Sequence, residues 1–333
     1  MKNASILVTG GTGSFGNAFV KFALENLDLK RLVIYSRDEF KQYNMANKFG
    51  EHPALRFFVG DVRDIERLGF AMKGIDFVFH AAALKQVVTA EYNPTEALRT
   101  NIIGAENVMK TAIKANVKKV MGISTDKAVR PINLYGATKA CMEKVFIAGN
   151  HLSGADGTRF SVVRYGNVIG SRGSVVPLFR KLAESGQKLT ITDRRMTRYW
   201  LRIEDGVQFA WECLEMMEGG ECFVRKCPST YILDLAKAIA PQNEVDIIGI
   251  RPGEKLHEEM VSPGEASSTY EYCDRFIIQP TVKLWDKPHP PAYMGEEGQR
   301  VADDFFYDSE NNPHFLTVSE IRDLIAKTEV VSE

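Results

Sequence analysis

The sequence predicts an α/β protein: a doubly wound parallel sheet followed by a smaller C-terminal α/β domain. Three observations carry this. Short apolar runs alternate with helical stretches through the first half of the 333 residues, the pattern of right-handed crossovers onto a sheet covered on both faces. A glycine-rich turn, Gly10-Gly11-Thr12-Gly13-Ser14-Phe15-Gly16, sits directly between the first strand and the first helix. After Asn167 the spacing loses its regularity, and Pro241, Pro252, Pro263, Pro280 and the Pro288–Pro291 cluster break up the remainder.

The elements follow in order. Strand Ile6–Thr9 leads through the glycine turn into an amphipathic helix, Phe15–Leu27. Strand Arg31–Ser36, helix Glu39–Phe49, strand Leu55–Val59, a helix around Asp64–Met72 and strand Ile75–His80 come next. A long helical pattern spans about Pro94–Ala115, then strand Lys118–Ile123, helix Leu134–Leu152 and strand Thr158–Arg164. Beyond Asn167 we expect helix Val175–Glu184, strand Leu189–Thr192, a helix from Ile203 to Met217 and strand Cys222–Arg225. The division expected is 1–166 for a nucleotide-binding unit and 167–333 for a substrate-binding unit, interleaved with the first.

Charge narrows the function classes. Lys+Arg number 42 and Asp+Glu 43, so no basic excess points to nucleic acid or a membrane surface. No run of about 18 apolar residues offers a spanning helix, and the N-terminus leads straight into a strand rather than a signal peptide. Five cysteines without a Cys-x-x-Cys read as reduced thiols of a cytoplasmic protein. The six histidines lack metal-ligand spacing, so no metal is expected; His80 reads as structural.

Gly10, Gly13 and Gly16 form a G-x-x-G-x-x-G variant of the Rossmann fingerprint. It combines a tight turn, close approach of pyrophosphate and a helix N-terminus with free N–H groups. Thr12, Ser14 and Phe15 belong to this loop. The second strand ends in Ser36-Arg37, with Lys41 one turn on, where an acidic residue would hold the ribose of NAD. A hydroxyl and two cations suit a 2′-phosphate and favour NADP; Asp38 and Glu39, followed by Phe40, would then be a helix N-terminal pair. Asp61-Val62 are placed to meet adenine. Ala81 opens a small-residue stretch that lets the dinucleotide pass, and Lys85 at its end reaches the central site.

Ser124-Thr125-Asp126-Lys127, Tyr135 and Lys139 put a carboxylate, two amines and a phenol within sixteen residues. Residues four apart share a helix face, so Lys139 is expected beside the Tyr135 oxygen, lowering its pKa from about 10. Asp126 and Lys127 add an acid and a base that a simple dehydrogenase does not need.

With Arg164-Tyr165-Gly166-Asn167, Arg172-Gly173-Ser174-Val175, Met196-Thr197-Arg198 and Arg251-Pro252-Gly253-Glu254-Lys255-Leu256-His257-Glu258 added, the chain resembles the extended short-chain dehydrogenase/reductases. More closely it resembles their configuration-inverting UDP-N-acetylglucosamine 4,6-dehydratases of pseudaminic acid biosynthesis. The resemblance covers almost the whole chain. It implies UDP-N-acetylglucosamine as substrate, NADP as cofactor, a homo-oligomer, and a 4-keto-6-deoxy product inverted at carbon 5.

The resemblance also implies roles. Tyr135, with Thr125 and Lys139, takes the 4-hydroxyl proton; Lys127 takes the carbon 5 proton; Asp126 protonates the departing 6-hydroxyl; Val168 contacts the cofactor. Asn167, Lys85, the Arg172-Gly173-Ser174-Val175 turn, Arg251, Arg198 and Glu254 hold the sugar nucleotide. For Lys127 to be neutral its pKa must fall from about 10.4 to about 7, which costs roughly 4.6 kcal/mol. A retaining dehydratase, a 4-epimerase and a non-catalytic NADP-binding protein are the alternatives.

Overall fold

In the computed structural model, which describes residues 3–171, 174–282 and 292–328, the first half of the chain alternates strand and helix. The elements are β1 (Ala4–Thr9), α1 (Ser14–Asn26), β2 (Leu29–Ser36), α2 (Glu39–Phe49), β3 (Leu55–Val59), α3 (Ile65–Met72) and β4 (Phe77–His80). Then come α4 (Val87–Tyr92), α5 (Pro94–Leu98), α6 (Gly104–Lys114), β5 (Lys119–Ile123), α7 (Leu134–Ser153) and β6 (Arg159–Arg164). The six strands lie in the order β3-β2-β1-β4-β5-β6, every pair parallel. Their inner residues are buried on both faces, as in Ile6, Leu7, Val8, Val33, Val78 and Val120, which is why these strands read as short apolar runs.

The sheet does not stop at β6. Strand Cys222–Arg225 continues it in parallel, and Arg275–Ile278, Thr269–Glu271 and Gln299–Arg300 add an antiparallel edge. The proline-broken remainder thus contributes strands to the main sheet, which the sequence reading did not foresee. Helix Ile203–Met216 also packs on this body, with Trp211 about 6.4 Å from the Phe22 and Phe79 rings, against α1. A second core, built on Val176, Phe179, Trp200 and Leu235, lies in helices Val175–Glu184 and Ile232–Ile239 and strand Thr197–Leu201.

The long helical stretch expected over Pro94–Ala115 runs unbroken from Pro94 to Lys114 but is not uniform α-helix. Between α5 and α6 lies a π-helical turn, Arg99–Ile103. It aims the buried Asn101 side chain at two elements: it accepts from the Leu84 N–H at 2.8 Å, and donates to the Leu84 carbonyl at 3.0 Å and the Thr138 hydroxyl at 2.9 Å. The wide turn therefore ties the loop after β4 to α7. Helices α4, Ile232–Ile239 and Val318–Ala326 were not read from the sequence. Among the described residues no helix is long and apolar enough to cross a membrane.

At Gly10 the backbone is left-handed (φ 65°), and a Cβ would meet the Ala82 backbone at 2.8 Å. A Cβ at Gly16 would fall 2.0 Å from the Gly11 carbonyl oxygen. Gly10 lets the loop pass between β1 and β4, and Gly16 lets α1 sit down on it. The strand order reverses between these two strands, so a crevice opens at their C-terminal ends.

His80 ends β4 fully buried, its Nδ1 bonded to the Thr9 hydroxyl at 2.8 Å and its Nε2 without a partner. Burial, with help from the Lys139 charge, pushes its pKa down to about 3. The folded value lies below the unfolded one, so this contribution to stability is complete above about pH 6.5 and is lost as pH falls toward 3. Between about pH 6.5 and 4 the wild-type chain is expected to lose roughly 3 kcal/mol more than His80→Gln. Urea midpoints measured at both pH values check this, and equal losses contradict it.

Candidate active site

The C-terminal strand ends and the second core face one cleft of about 1930 Å³. It gathers most residues singled out from the sequence. Gly10, Thr12, Gly13, Ser14 and Phe15 line it, with Ser36, Arg37, Asp38 and Lys41, then Asp61, Val62, Ala81 and Lys85. Further along come Thr125, Lys127, Tyr135, Lys139, Asn167 and Val168, and finally Ser174, Val175, Arg198, Arg251 and Glu254. Gly16, Glu39, Phe40 and Asp126 are not on its wall. Gly16 packs α1 against the loop, Phe40 points to solvent at 68% exposure, and Asp126 lies behind the wall at 1% exposure. Arg172 and Gly173 fall outside the described residues.

The glycine-loop end fits a dinucleotide. The N-terminus of α1 has no side-chain cap, so its first N–H groups are left for a phosphate where the loop meets the cleft. Asp38 caps α2 instead, accepting from the Lys41 N–H at 2.9 Å, with Lys41 Nζ 3.0 Å from its carboxylate. The half-exposed Arg37 lies 3.6 Å from Asp61, which Arg63 also holds at 2.7 Å. The buried Ser36 hydroxyl accepts from Gln42 at 3.0 Å. Among the described residues no group of His, Cys, Asp and Glu is arranged to hold a metal ion.

Helix α7 places the phenol and its neighbouring amine. Its N-cap, Asn133, accepts from the Gly136 N–H at 2.8 Å and donates to the Gly253 carbonyl at 2.8 Å. A Cβ at Gly136 would meet the Lys127 carbonyl oxygen at 2.1 Å, so only glycine lets α7 approach the 3-10 turn Asp126–Ala128 this closely. Tyr135 and Lys127 face each other as a result. Burial pushes the Tyr135 phenol up to about 12, against the pull of Lys127 and the neighbouring Thr125 side chain. The expected lowering by Lys139 is therefore overturned: burial outweighs every nearby cation. Lys139, buried beside Glu143, is itself lowered to about 8 by burial.

Lys127 departs from expectation in the same way. Its Nζ lies 3.1 Å from Asp126 Oδ1, 3.2 Å from Asn167 Oδ1 and 3.3 Å from Glu258 Oε1. Burial works to lower its pKa, but the Asp126 and Glu258 carboxylates outweigh burial and Arg198, and hold it above the ordinary lysine value. In this state it is an ammonium rather than a free amine. Asp126 also accepts from the Thr125 hydroxyl at 2.7 Å, while its Oδ2 is buried without a partner. Lys85 is lowered by burial and by Lys127.

Arg198 lines the cleft, but much of its guanidinium is engaged within the protein. It bonds the carbonyls of Thr197, Leu256 and Lys255 at 2.7, 3.0 and 2.8 Å, and lies 3.6 Å from both Glu254 and Glu258. Three of its five N–H groups are bonded to backbone carbonyls, and it fixes the 254–258 loop against strand Thr197–Leu201. Arg251 stays exposed on the turn before it. Ser174 opens helix Val175–Glu184 without donating a cap, its hydroxyl buried and unpartnered. Sequence reasoning missed Glu258 as a site residue, although it closes the Arg251–Glu258 motif, and missed Trp200, Met196 and Ile232 on the apolar wall.

A family model described as polysaccharide biosynthesis protein matches residues 6–280. The chain is 52% identical over 328 residues, 98% of each chain, to the UDP-N-acetylglucosamine 4,6-dehydratase (inverting) of Campylobacter jejuni. It is 40% identical to the UDP-glucose 4-epimerase of Rickettsia canadensis, over 99% of this chain and 97% of that one. The X-ray structure of Pen from Bacillus thuringiensis superposes with a TM-score of 0.89 at 35% identity, covering 99% of both chains. The dTDP-glucose 4,6-dehydratase DesIV from Streptomyces venezuelae shares the fold, with a TM-score of 0.68 at 23% identity over 76% of this chain and 86% of that one.

Proposed function

The chain belongs to the polysaccharide biosynthesis protein family, and from that premise we propose that it is a UDP-N-acetylglucosamine 4,6-dehydratase that inverts carbon 5. One observation carries the reading: a phenol and an amine (Tyr135 and Lys127) line one cleft of about 1930 Å³, and the buried carboxylate of Asp126 backs the amine at 3.1 Å. The relative at 52% identity bears this name.

A nicotinamide dinucleotide held at the glycine loop by Gly10, Thr12, Gly13 and Ser14 would supply reversible hydride chemistry for carbons 4 and 6 of the hexose. The rest is work for side chains. Tyr135 receives the 4-hydroxyl proton as the ketone forms, and the ketone acidifies the hydrogen at carbon 5. Before this the Lys127 ammonium passes its proton to Asp126 across their 3.1 Å contact. The freed amine takes the carbon 5 proton, and Asp126 gives the proton it received to the 6-hydroxyl, which leaves as water. Asp126 reaches the cleft through its contacts with the Thr125 hydroxyl and the Lys127 amine. A proton then returns to carbon 5 on the opposite face, and the net change is loss of one water. Since Tyr135 and Lys127 both start with raised proton affinity, the rate should climb with pH as each becomes a base.

Residues 1–166 hold the dinucleotide and 167–333 the sugar nucleotide, with Ser174, Val175 and Arg251 toward the diphosphate. Following the resemblance, the enzyme is a cytoplasmic homo-oligomer that supplies pseudaminic acid synthesis. NADP is the cofactor in this reading, because Asp38 is spent as the α2 cap and the half-exposed cations Arg37 and Lys41, each beside a carboxylate, lie where a 2′-phosphate would come. Arg37→Asp is expected to weaken NADP by about 10- to 100-fold, the worth of a charge-assisted hydrogen bond, and to leave NAD nearly unchanged. Fluorescence titration of both dinucleotides checks this, and equal losses remove the phosphate argument.

Proton NMR of the protein with UDP-N-acetylglucosamine tests the function. A new methyl doublet with ring couplings of the L configuration is expected. A 4-epimerised hexose without a methyl group overturns the reading in favour of epimerisation, and a methyl group on a D-configured ring in favour of retention.

A further inference from the structure

Among the described residues, Glu258 is the one carboxylate on the cleft wall that reaches the Lys127 amine from a distant part of the chain. Its Oε1 lies 3.3 Å from Lys127 Nζ and 3.6 Å from Arg198 Nε. Its side chain is 4% exposed, and its Oε2 is buried without a hydrogen-bond partner. A buried carboxylate oxygen left unpaired is costly, so this geometry is not what packing alone would select. Arg198 cannot swing away to relieve it, since three backbone carbonyls hold the guanidinium.

We propose that Glu258 is a positioning residue for the dehydration step: with Asn167 and Asp126 it holds the Lys127 amine at the cleft wall, and its charge sets the pH at which that amine becomes a base. The proposal rests on the function above for the identity of the step, but not for the charge state of the lysine. Other charged and titratable groups bear on Lys127. Asp126 lies on its own turn and favours the ammonium form; Arg198 opposes it. Lys85 after β4 and Tyr135 on α7 are coupled to it as well. The net balance favours the proton, and of the two carboxylates responsible only Glu258 stands outside the acid–base pair itself. Substituting it changes the charge while leaving Asp126 to serve as acid.

The test uses Glu258→Gln, which keeps the shape and an accepting oxygen but removes the charge. Side-chain NMR of isotope-labelled lysines, with the Lys127 signal assigned by its loss in Lys127→Met, reads the amine directly in the protein without substrate. Lys127 is expected to titrate at least one unit lower in Glu258→Gln, and the acid limb of the pH–rate profile for 6-deoxy product is expected to move the same way. Glu258→Asp, whose shorter arm draws the carboxylate back, should move both by less. It also serves if the glutamine variant fails to fold. A folded variant with an unmoved Lys127 signal, or one that loses kcat with no displacement of the pH profile, overturns the proposal and leaves Glu258 a packing residue. If the lysine signal moves as expected while wild-type protein makes no 6-deoxy sugar, the charge assignment stands and the proposed reaction falls.

Discussion

Lys127→Ala is expected to slow formation of the 6-deoxy product by at least about 10³-fold, the scale of a lost general base, while leaving the first oxidation running. The reason is positional. Lys127 is the cleft-lining amine held between Asn167, Asp126 and Glu258, and the proton it takes is not acidic until carbon 4 is a ketone. With the amine gone, the reaction should halt after the ketone forms, and the absorbance of reduced dinucleotide should build up on mixing with substrate. The substitution also leaves two buried carboxylates, Asp126 and Glu258, without their shared cation, a loss of about 3–5 kcal/mol when a buried pair is broken from one side. Thermal melts must therefore accompany the rates. A folded variant with full turnover removes Lys127 from the mechanism.

Tyr135→Phe should stop the reaction one step earlier. The ring and its packing on α7 remain, so the fold should be undisturbed, but the oxygen proposed to accept the 4-hydroxyl proton is absent. Turnover should fall by about 10²–10⁴-fold, and no reduced dinucleotide should appear with substrate, in contrast to Lys127→Ala. Because burial holds the phenol at about 12 in this structure, wild-type activity should rise with pH across the neutral range. Reduced dinucleotide accumulating in Tyr135→Phe as fast as in Lys127→Ala would show that some other group takes that proton.

The first half of the fold is legible in the sequence for a physical reason. Parallel strands buried on both faces read as apolar runs, as β1 and β4 do throughout and β2, β5 and β6 do over their buried stretches, while the edge strand β3 is only partly buried. The glycine loop reveals itself because Gly10 needs a left-handed backbone and Gly16 has no room for a Cβ. The rest is set by contacts too distant to leave a local pattern. Strands such as Thr269–Glu271 and Gln299–Arg300 are two or three residues long, too short for any periodicity. The π turn at Arg99–Ile103 looks like ordinary helix until Asn101 is seen bonded to Leu84 and Thr138.

The site divides in the same way. Tyr135, Lys139, Asp126 and Lys127 announce themselves by spacing, but the charge of Lys127 does not. That depends on Glu258, which stands 131 positions from Lys127 and meets it only in the folded chain. A neutral lysine was the natural expectation from burial alone. Two carboxylates within 3.3 Å reverse it.

The most direct measurement is deuterium uptake at carbon 5. Wild-type protein and Lys127→Ala, each loaded with NADP, are incubated with UDP-N-acetylglucosamine in deuterated water, and the hexose is read by NMR. The wild type should place one deuterium at carbon 5 of the product, collapsing the methyl doublet to a singlet, and the variant should place none there. Deuterium entering carbon 5 at the wild-type rate in Lys127→Ala would contradict the account at its centre.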